Sequence, residues 1–206
     1  MRVIGGEFRR RTLKSVPGLD VRPTPDRLRE TLFNILAPRM DECRVFIDAF
    51  AGTGAVGIEA LSRGAERAVF VERARAAAEV LRENLRSLGL ERRSEVFVGK
   101  ATNVLDRHTA DIVFLDPPYS QAKEYTLALE SLAGRPAPLV IVQHEPKLVL
   151  KDAYGPLRRY RIVKQGSNAL SFYAQENAEP EEGSGDEDAA AEDNGESLST
   201  SEPVEP

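Results

Sequence analysis

The chain has 206 residues, of which 28 are Lys or Arg and 33 are Asp or Glu, so its formal net charge is −5. This length allows one ordinary domain with a substantial core. No apolar run approaches the roughly 20 residues that span a bilayer, and the N-terminus lacks the apolar segment of a secretory signal. A single cysteine, Cys43, excludes an intrachain disulfide and indicates a reducing cytoplasm. Since the chain has two histidines in addition to this one cysteine, no structural zinc site is expected.

The negative charge is concentrated at the C-terminus. Residues 176–206 contain twelve acidic residues and no Lys or Arg, which leaves 28 basic and 21 acidic residues in the rest of the chain. The rest therefore carries a net charge of about +7, as expected for a nucleic-acid partner. The large apolar residues of the terminal segment are only Leu198 and Val204. We expect an acidic, disordered and solubilising tail at 176–206.

Residues 1–40 are predicted to form a basic N-terminal extension and a helix. Thr24 is the expected N-cap, Pro25 the first helical residue, and Asp26 complements the positive end of the helix dipole. Apolar residues then share one helical face, at Leu28, Leu32, Ile35 and Leu36. Pro38 is expected to end the helix because it cannot donate a backbone hydrogen bond.

Residues 41–175 alternate between strand and helix patterns and are expected to form the core domain. Strands are predicted at 45–50, 68–72, 95–98, 111–115 and 139–143, and helices at 55–63, 74–88 and 122–133. Two further strands, 158–164 and 169–174, flank Gly166-Ser167-Asn168 and predict an antiparallel hairpin. The alternation predicts an α/β fold with a mainly parallel sheet covered on both faces.

In such sheets ligands bind beyond the carboxyl ends of the strands, where this sequence has a glycine-rich loop. Asp48 ends the first strand, and Gly52, Gly54 and Gly57 follow it at the spacing of an adenosine-cofactor loop. Glu72 ends the next strand, where a carboxylate can accept both ribose hydroxyls of any adenosine cofactor. The loop alone is compatible with NAD and with S-adenosylmethionine. Asp48 favours the second, because a carboxylate repels a pyrophosphate and attracts the ammonium and sulfonium of S-adenosylmethionine.

A second loop, Asp116-Pro117-Pro118-Tyr119, follows the fourth predicted strand. An exocyclic amino group of a nucleobase is a poor nucleophile because its lone pair is delocalised into the ring. The Asp116 carboxylate and the rigidly held Pro117 carbonyl can accept its two N–H bonds and favour rehybridisation of the nitrogen. Tyr119 can stack on the base. This arrangement predicts methyl transfer by positioning and electrostatics, with no metal and no covalent intermediate.

Asp-Pro-Pro-Tyr after a strand resembles the signature of amino-directed nucleic-acid methyltransferases. Several further segments are similar to bacterial small-subunit ribosomal RNA guanine-N2 methyltransferases: Arg2–Gly6, Arg22–Thr24, Asp26–Arg27, Arg29–Asn34 and Phe50–Ala65. The resemblance runs from about Arg2 to Gln175. It implies a seven-stranded class I methyltransferase sheet and transfer to the exocyclic N2 of one guanine, position 966 of 16S rRNA, on an assembling or assembled small subunit.

The resemblance also implies roles for individual residues. It places the cofactor against Asp48, Phe50, Gly52, Gly54, Glu72 and Ala101, with Thr24 covering it, and the guanine against Asp116, Pro117, Pro118 and Tyr119. Lys100 departs from the family, which often has Asp or Asn there. Because Lys100 cannot accept a hydrogen bond from the adenine amino group, the backbone at Ala101 is expected to bind the adenine instead.

Basic residues of the N-terminal segment are the candidate RNA contacts: Arg9, Arg10, Arg11, Arg22, Arg27 and Arg29. Arg9-Arg10-Arg11 is typical of phosphate binding, which supplies affinity without sequence choice. Arg27 and Arg29 have an alternative, namely ion pairs with Asp26 or Glu30 on their own helix. His144, after the fifth strand, is expected to have a packing role.

Three other functions stay open on the sequence. A DNA adenine or cytosine amino-methyltransferase would share Asp-Pro-Pro-Tyr, but needs a target-recognition region for which 120–139 offers little room. A nicotinamide oxidoreductase has no use for Asp48 or for Asp-Pro-Pro-Tyr. A non-enzymatic ribosome-assembly factor is disfavoured by the intact Asp116 and Tyr119. The oligomeric state is not predicted.

Overall fold

The computed structural model of the protein describes residues 1–16, 25–119, 121–135 and 138–175. Thr24, Arg22 and the acidic tail, about which the sequence made predictions, lie outside the described residues. Among the described residues, none of the helices has the length and apolar character needed to cross a membrane.

The core alternates helices and strands as predicted. The α-helices are α1 (Asp26–Met40), α2 (Ala55–Ser62), α3 (Arg75–Ser87), α4 (Ala101–Leu105) and α5 (Ala122–Ala133), with a 3₁₀ turn at Glu91–Arg93. The strands are β1 (Val45–Asp48), β2 (Arg67–Glu72), β3 (Ser94–Val98), β4 (Ile112–Leu115), β5 (Leu139–His144), β6 (Ala153–Tyr154), β7 (Leu157–Gln165) and β8 (Asn168–Gln175).

The strands form one eight-stranded sheet in the order β3-β2-β1-β4-β5-β8-β7-β6. Strands β1 to β5 are parallel, and β8 joins them antiparallel to β5. Gly166 and Ser167 connect β7 to β8, with Gln165 paired to Asn168 across the turn. Gly166 has a φ of 58°, the left-handed conformation that such two-residue turns require. The predicted mainly parallel sheet and C-terminal hairpin are therefore confirmed.

Apolar side chains cover both faces of the sheet. Alternate residues of β1, such as Phe46 and Ile47, point to opposite faces. Ile47 packs in a cluster with α4 and α5, whereas Phe46 packs with α1 and α2. A third cluster joins β2 to α3 through Phe70, Leu81 and Leu85. Helices α1 to α3 thus lie on one face and α4 and α5 on the other, as the alternating pattern predicted.

Four details differ from the sequence-based prediction. Helix α1 continues past Pro38 to Met40, and Pro25 lies in the N-cap position rather than inside the helix. Met40 is 2% exposed, so packing of its side chain in the core favours the extra residues. Helix α4 was not predicted, because five residues are too few for a periodic signal. The sheet has eight strands rather than seven, since the two-residue β6 pairs with β7.

An N-terminal arm, residues 1–14, folds back on itself and docks on α2. Arg2 and Thr12 form an antiparallel bridge. The Ile4 and Gly5 N–H groups donate to the two carboxylate oxygens of Glu59, at 2.8 and 2.7 Å. A Cβ at Gly6, whose φ is +73°, would lie 1.8 Å from the Ser62 carbonyl oxygen. The buried Glu59 carboxylate therefore holds the arm against α2, and Gly6 allows this close contact because it has no side chain.

Candidate active site

A cavity of about 990 Å³ opens at the carboxyl ends of the parallel strands. It lies between β1 and β4, at the switch point of the sheet. From there the strand order runs outward from β1 to β2 on one side and from β4 to β5 on the other. Residues at the carboxyl ends of four strands line it, among them Asp48, Glu72, Asp116 and Gln143. The structure thus brings together the two loops that the sequence placed at this edge.

The glycine-rich loop is shaped by positive φ angles and by close packing. Gly52 and Gly54 have φ values of 53° and 89°, and α2 begins directly after Gly54. A Cβ on Gly54 would lie 2.2 Å from Leu81, and one on Gly57 would lie 2.3 Å from the Phe70 ring. These glycines therefore let the loop and α2 approach α3 and the sheet, as predicted from their spacing.

Asp48 lies at the base of this loop and is 1% exposed. One of its carboxylate oxygens, Oδ2, accepts the Gly57 N–H at 2.9 Å. Burial raises the pKa of Asp48 to about 7, and the nearby Glu72 carboxylate also raises it, while hydrogen bonds from Gly57 and Phe50 oppose the change. A cation in the cavity would offset the cost of charging this carboxylate.

Glu72 connects the glycine-rich loop to the end of β2 by hydrogen bonds. Its two carboxylate oxygens accept the Gly52 N–H at 2.8 Å and the Ala74 N–H at 2.6 Å. An ionised carboxylate has about four acceptor sites, so two remain for the hydroxyls of a ribose. The side chain thus has a structural function in the loop and retains capacity for the predicted one.

The cavity wall continues through Phe50, Lys100 and Ala101. Ala101 is 3% exposed and is the first residue of α4, so its N–H has no carbonyl partner within the helix. Lys100 is exposed and precedes the helix. The Ala101 N–H is thus a backbone donor at the cavity wall, and adenine binding by the Ala101 backbone rather than the Lys100 side chain stays a prediction.

The Asp-Pro-Pro-Tyr loop also lines the cavity. The buried Tyr125 donates its hydroxyl hydrogen to the Pro117 carbonyl at 3.1 Å, and Tyr119 donates to Asn168 Oδ1 at 3.0 Å. A carbonyl oxygen has two lone pairs, so the Pro117 carbonyl retains one. Tyr125 on α5 and Asn168 on β8 therefore orient the loop, a function that their sequence positions did not reveal.

Gln143, the last but one residue of β5, lines the cavity at one of the polar strand ends seen in the sequence, where no role was predicted for it. It is 4% exposed, and its Oε1 has no hydrogen-bond partner among the described residues. The signal in the sequence is a polar residue at the end of an apolar strand. Its neighbour His144 instead bonds the Ser171 hydroxyl at 2.8 Å, and burial lowers its pKa. The packing role expected for His144 agrees with this placement.

The predicted RNA contacts lie in different environments. Arg9, Arg10 and Arg11 are exposed on the N-terminal arm, next to the C-terminal ends of α2 and α3 and away from the cavity. Arg27 is also exposed. Arg29 is fully buried and donates to Asp26 at 2.6 Å and to the Arg2 carbonyl at 2.9 Å. The prediction that Arg29 contacts RNA is therefore wrong, since no phosphate can reach it.

The sheet and the two loops define a methyltransferase of the class I fold. The same fold occurs in an RNA methyltransferase from Salinibacter ruber in complex with S-adenosyl-L-homocysteine, with a TM-score of 0.58 and 23% identity over 77% of this chain and 97% of that one. The chain belongs to the family described as Conserved hypothetical protein 95, which matches residues 1–174. The predicted fold class and the predicted enzyme class, a methyltransferase, are confirmed.

The relatives that are similar in sequence have a more specific name. Ribosomal RNA small subunit methyltransferase D of Haemophilus influenzae is 36% identical over 70% of this chain and 79% of its own length. The protein of the same name from Escherichia coli is 42% identical over 58% of this chain and 60% of its own length. The family resemblance read from the sequence is thereby confirmed.

Burial of Asp48 predicts a pH-dependent stability of the cofactor-free protein. The folded state binds the Asp48 proton more tightly than the unfolded chain, so the free energy of unfolding falls as the pH rises from about 4 to about 7. The shift corresponds to about 4 kcal/mol. Asp48→Asn keeps an acceptor for Gly57 and should lose this fall. Urea denaturation of both proteins at several pH values tests the prediction, and parallel pH profiles would contradict it.

Proposed function

We propose that this methyltransferase transfers a methyl group from S-adenosylmethionine to the exocyclic N2 of a guanine in 16S rRNA, by family resemblance guanine 966, on the small ribosomal subunit in the cytoplasm. One observation supports it above the others. Asp116 and Pro117 line the same cavity as Asp48, Glu72 and the glycine-rich loop. Acceptors for an amino group thus face the place where a methyl donor fits.

The residues around the cavity fit S-adenosylmethionine. The buried Asp48 carboxylate complements a cationic ligand, the free acceptor sites of Glu72 suit ribose hydroxyls, and the α2 N-terminus suits the methionine carboxylate. A volume of about 990 Å³ also leaves room for a base beside the cofactor. When bound, the cofactor supplies an electrophilic methyl group on a sulfonium.

The chain's own part in the reaction is to hold the amino group. Asp116 and the Pro117 carbonyl accept the two N–H bonds of N2 and orient its lone pair toward the methyl group. As the N–C bond forms and the S–C bond breaks, positive charge develops on N2. The Asp116 carboxylate stabilises that charge and can accept the proton that N2 then loses. Tyr119, held by Asn168, fixes the plane of the base by stacking.

A guanine must leave its stack to enter this cavity, which favours a loop nucleotide over a duplex. The DNA alternative gains no support from the structure, since the chain between the Asp-Pro-Pro-Tyr loop and β5 contains α5 as its described element. The names of the relatives are those of ribosomal RNA enzymes.

A transfer assay with labelled S-adenosylmethionine tests the proposal. Small subunits that lack the modification, matched naked 16S rRNA and duplex DNA are offered side by side. We expect label in the two samples that contain 16S rRNA, the small subunits and the naked RNA, and none in the duplex DNA. Label only in DNA would replace RNA with DNA as the substrate, and cofactor binding without label in any sample would support a non-enzymatic assembly factor.

Arg9, Arg10 and Arg11 are expected to add affinity rather than rate. Replacing all three with Gln should lower the salt dependence of small-subunit binding by up to about 3 in the slope of log K against log salt, because fewer counterions are released. The turnover at saturating substrate should not change, since the triplet lies away from the cavity.

Arg107→Gln serves as the control for this triplet. Arg107 is exposed beyond the end of α4, on the opposite face of the sheet. An equal effect per charge at Arg107 would show that the triplet makes no specific phosphate contact.

A further inference from the structure

Strand β7 carries an exposed aromatic side chain that the proposed active site does not use. Tyr160 is 45% exposed. The register of β7 against β8 shifts between Arg159, which pairs with Tyr173, and Arg161, which pairs with Phe172, so Tyr160 is the additional residue of a β-bulge. A bulge re-aims a side chain and is maintained at a cost in regular pairing. Its position at an exposed Tyr therefore points to a use for that ring.

The ring has a firm support and basic neighbours. Its centroid lies 6.3 Å from that of the fully buried Phe172. Burial raises the pKa of the Tyr160 hydroxyl, and the positive charges of Arg39 and Arg161 partly oppose this rise. Arg39 is exposed in the last turn of α1. The half-exposed Tyr160 thus lies within the electrostatic influence of basic side chains from two different elements, α1 and β7.

The position of β7 connects this surface to the cavity. The strand ends at Gln165, which pairs with Asn168, the residue that holds Tyr119 of the Asp-Pro-Pro-Tyr loop. The five residue steps from Tyr160 to Gln165 span about 17 Å. An RNA strand of a few nucleotides therefore reaches from a base held in the cavity to Tyr160.

We propose that Tyr160, with Arg39 and Arg161, forms a second contact for 16S rRNA, in which an unpaired base near the target guanine stacks on the Tyr160 ring and the arginines bind its phosphates. Aromatic rings between basic side chains bind single-stranded nucleic acid in this way. The body of the chain, with its net positive charge, is complementary to RNA rather than to another basic surface. The inference rests on the proposed function, because it needs RNA as the substrate.

The test compares Tyr160→Ala with two matched variants, using small subunits that lack the methyl group. Tyr160→Phe retains the ring, and Ile162→Ala removes a side chain of similar exposure, 44%, from the same strand. We expect Tyr160→Ala to raise KM and the dissociation constant Kd for small subunits by about 5- to 100-fold, with kcat unchanged. Tyr160→Phe and Ile162→Ala should stay within about twofold of the wild type, a margin that corresponds to the small effect of most surface substitutions.

A photocrosslinking amino acid at position 160 identifies the partner. A crosslink to 16S rRNA supports the proposal, and a crosslink to a ribosomal protein overturns it. Equal KM values for Tyr160→Ala and the wild type would also overturn it. These outcomes differ from a failure of the proposed function, in which the wild-type protein itself would not methylate small subunits.

Discussion

Asp116→Ala is expected to reduce the rate of methyl transfer by at least about 100-fold, the effect of removing a preorganised electrostatic contact or a general base. The reason is that the guanine N2 would lose the acceptor that orients it and the charge that stabilises the developing cation. Cofactor affinity should stay the same, because Glu72 and the glycine-rich loop do not depend on Asp116. Single-turnover kinetics and cofactor titration measure the two quantities separately.

Asp116→Asn is the matched variant for this prediction. It retains an oxygen that accepts a hydrogen bond but lacks the negative charge. A rate between those of Ala and the wild type would apportion the effect between positioning and charge. A full rate in Asp116→Ala, with the methyl group still on N2, would contradict the role assigned to this carboxylate.

Glu59→Ala is expected to lower the free energy of unfolding by about 3 to 5 kcal/mol, as when one partner of a buried ion pair is removed. Glu59 is fully buried. Its carboxylate accepts hydrogen bonds from the backbone of Ile4 and Gly5 and from Arg63 Nε, the last at 2.7 Å. Its loss would leave these donors without partners and release the N-terminal arm from α2.

Hydrogen exchange at the Ile4 and Gly5 amides distinguishes local release of the arm from a global effect. We expect exchange there to accelerate in Glu59→Ala, beyond any change in the sheet. Glu59→Gln retains one carbonyl acceptor and should lose less stability, and Glu66→Ala, at an exposed position, should lose little. Normal protection of the two amides in Glu59→Ala would contradict the anchoring role.

The sheet and the location of the site could be predicted because their signals are local. Apolar runs such as Val45–Asp48 and Leu139–His144 are buried strands, and in a parallel sheet their carboxyl ends meet at one edge. The spacing of Gly52, Gly54 and Gly57 has a direct counterpart in the close packing against Leu81 and Phe70. In these places the local pattern and the tertiary structure require the same residues.

Long-range contacts explain what the sequence could not show. In the sequence Glu59 is a single charge in an apolar helix, because the Ile4 and Gly5 N–H groups that it binds lie 55 and 54 residues away. Arg29 was predicted to face RNA, but the folded N-terminal arm brings the Arg2 carbonyl to it and buries it. Tyr125 and Asn168 orient the Asp-Pro-Pro-Tyr loop from α5 and β8. Only the fold places them beside it.

The proposed function requires that the methyl group is transferred to the N2 of one guanine in 16S rRNA. The most direct measurement is mass spectrometry of nuclease fragments from small subunits that the purified protein has methylated. We expect N2-methylguanosine in a single fragment, formed at least about 100-fold more slowly with Asp116→Ala. A methyl group on adenine or cytosine, on another atom of guanine, or on many guanines would contradict it.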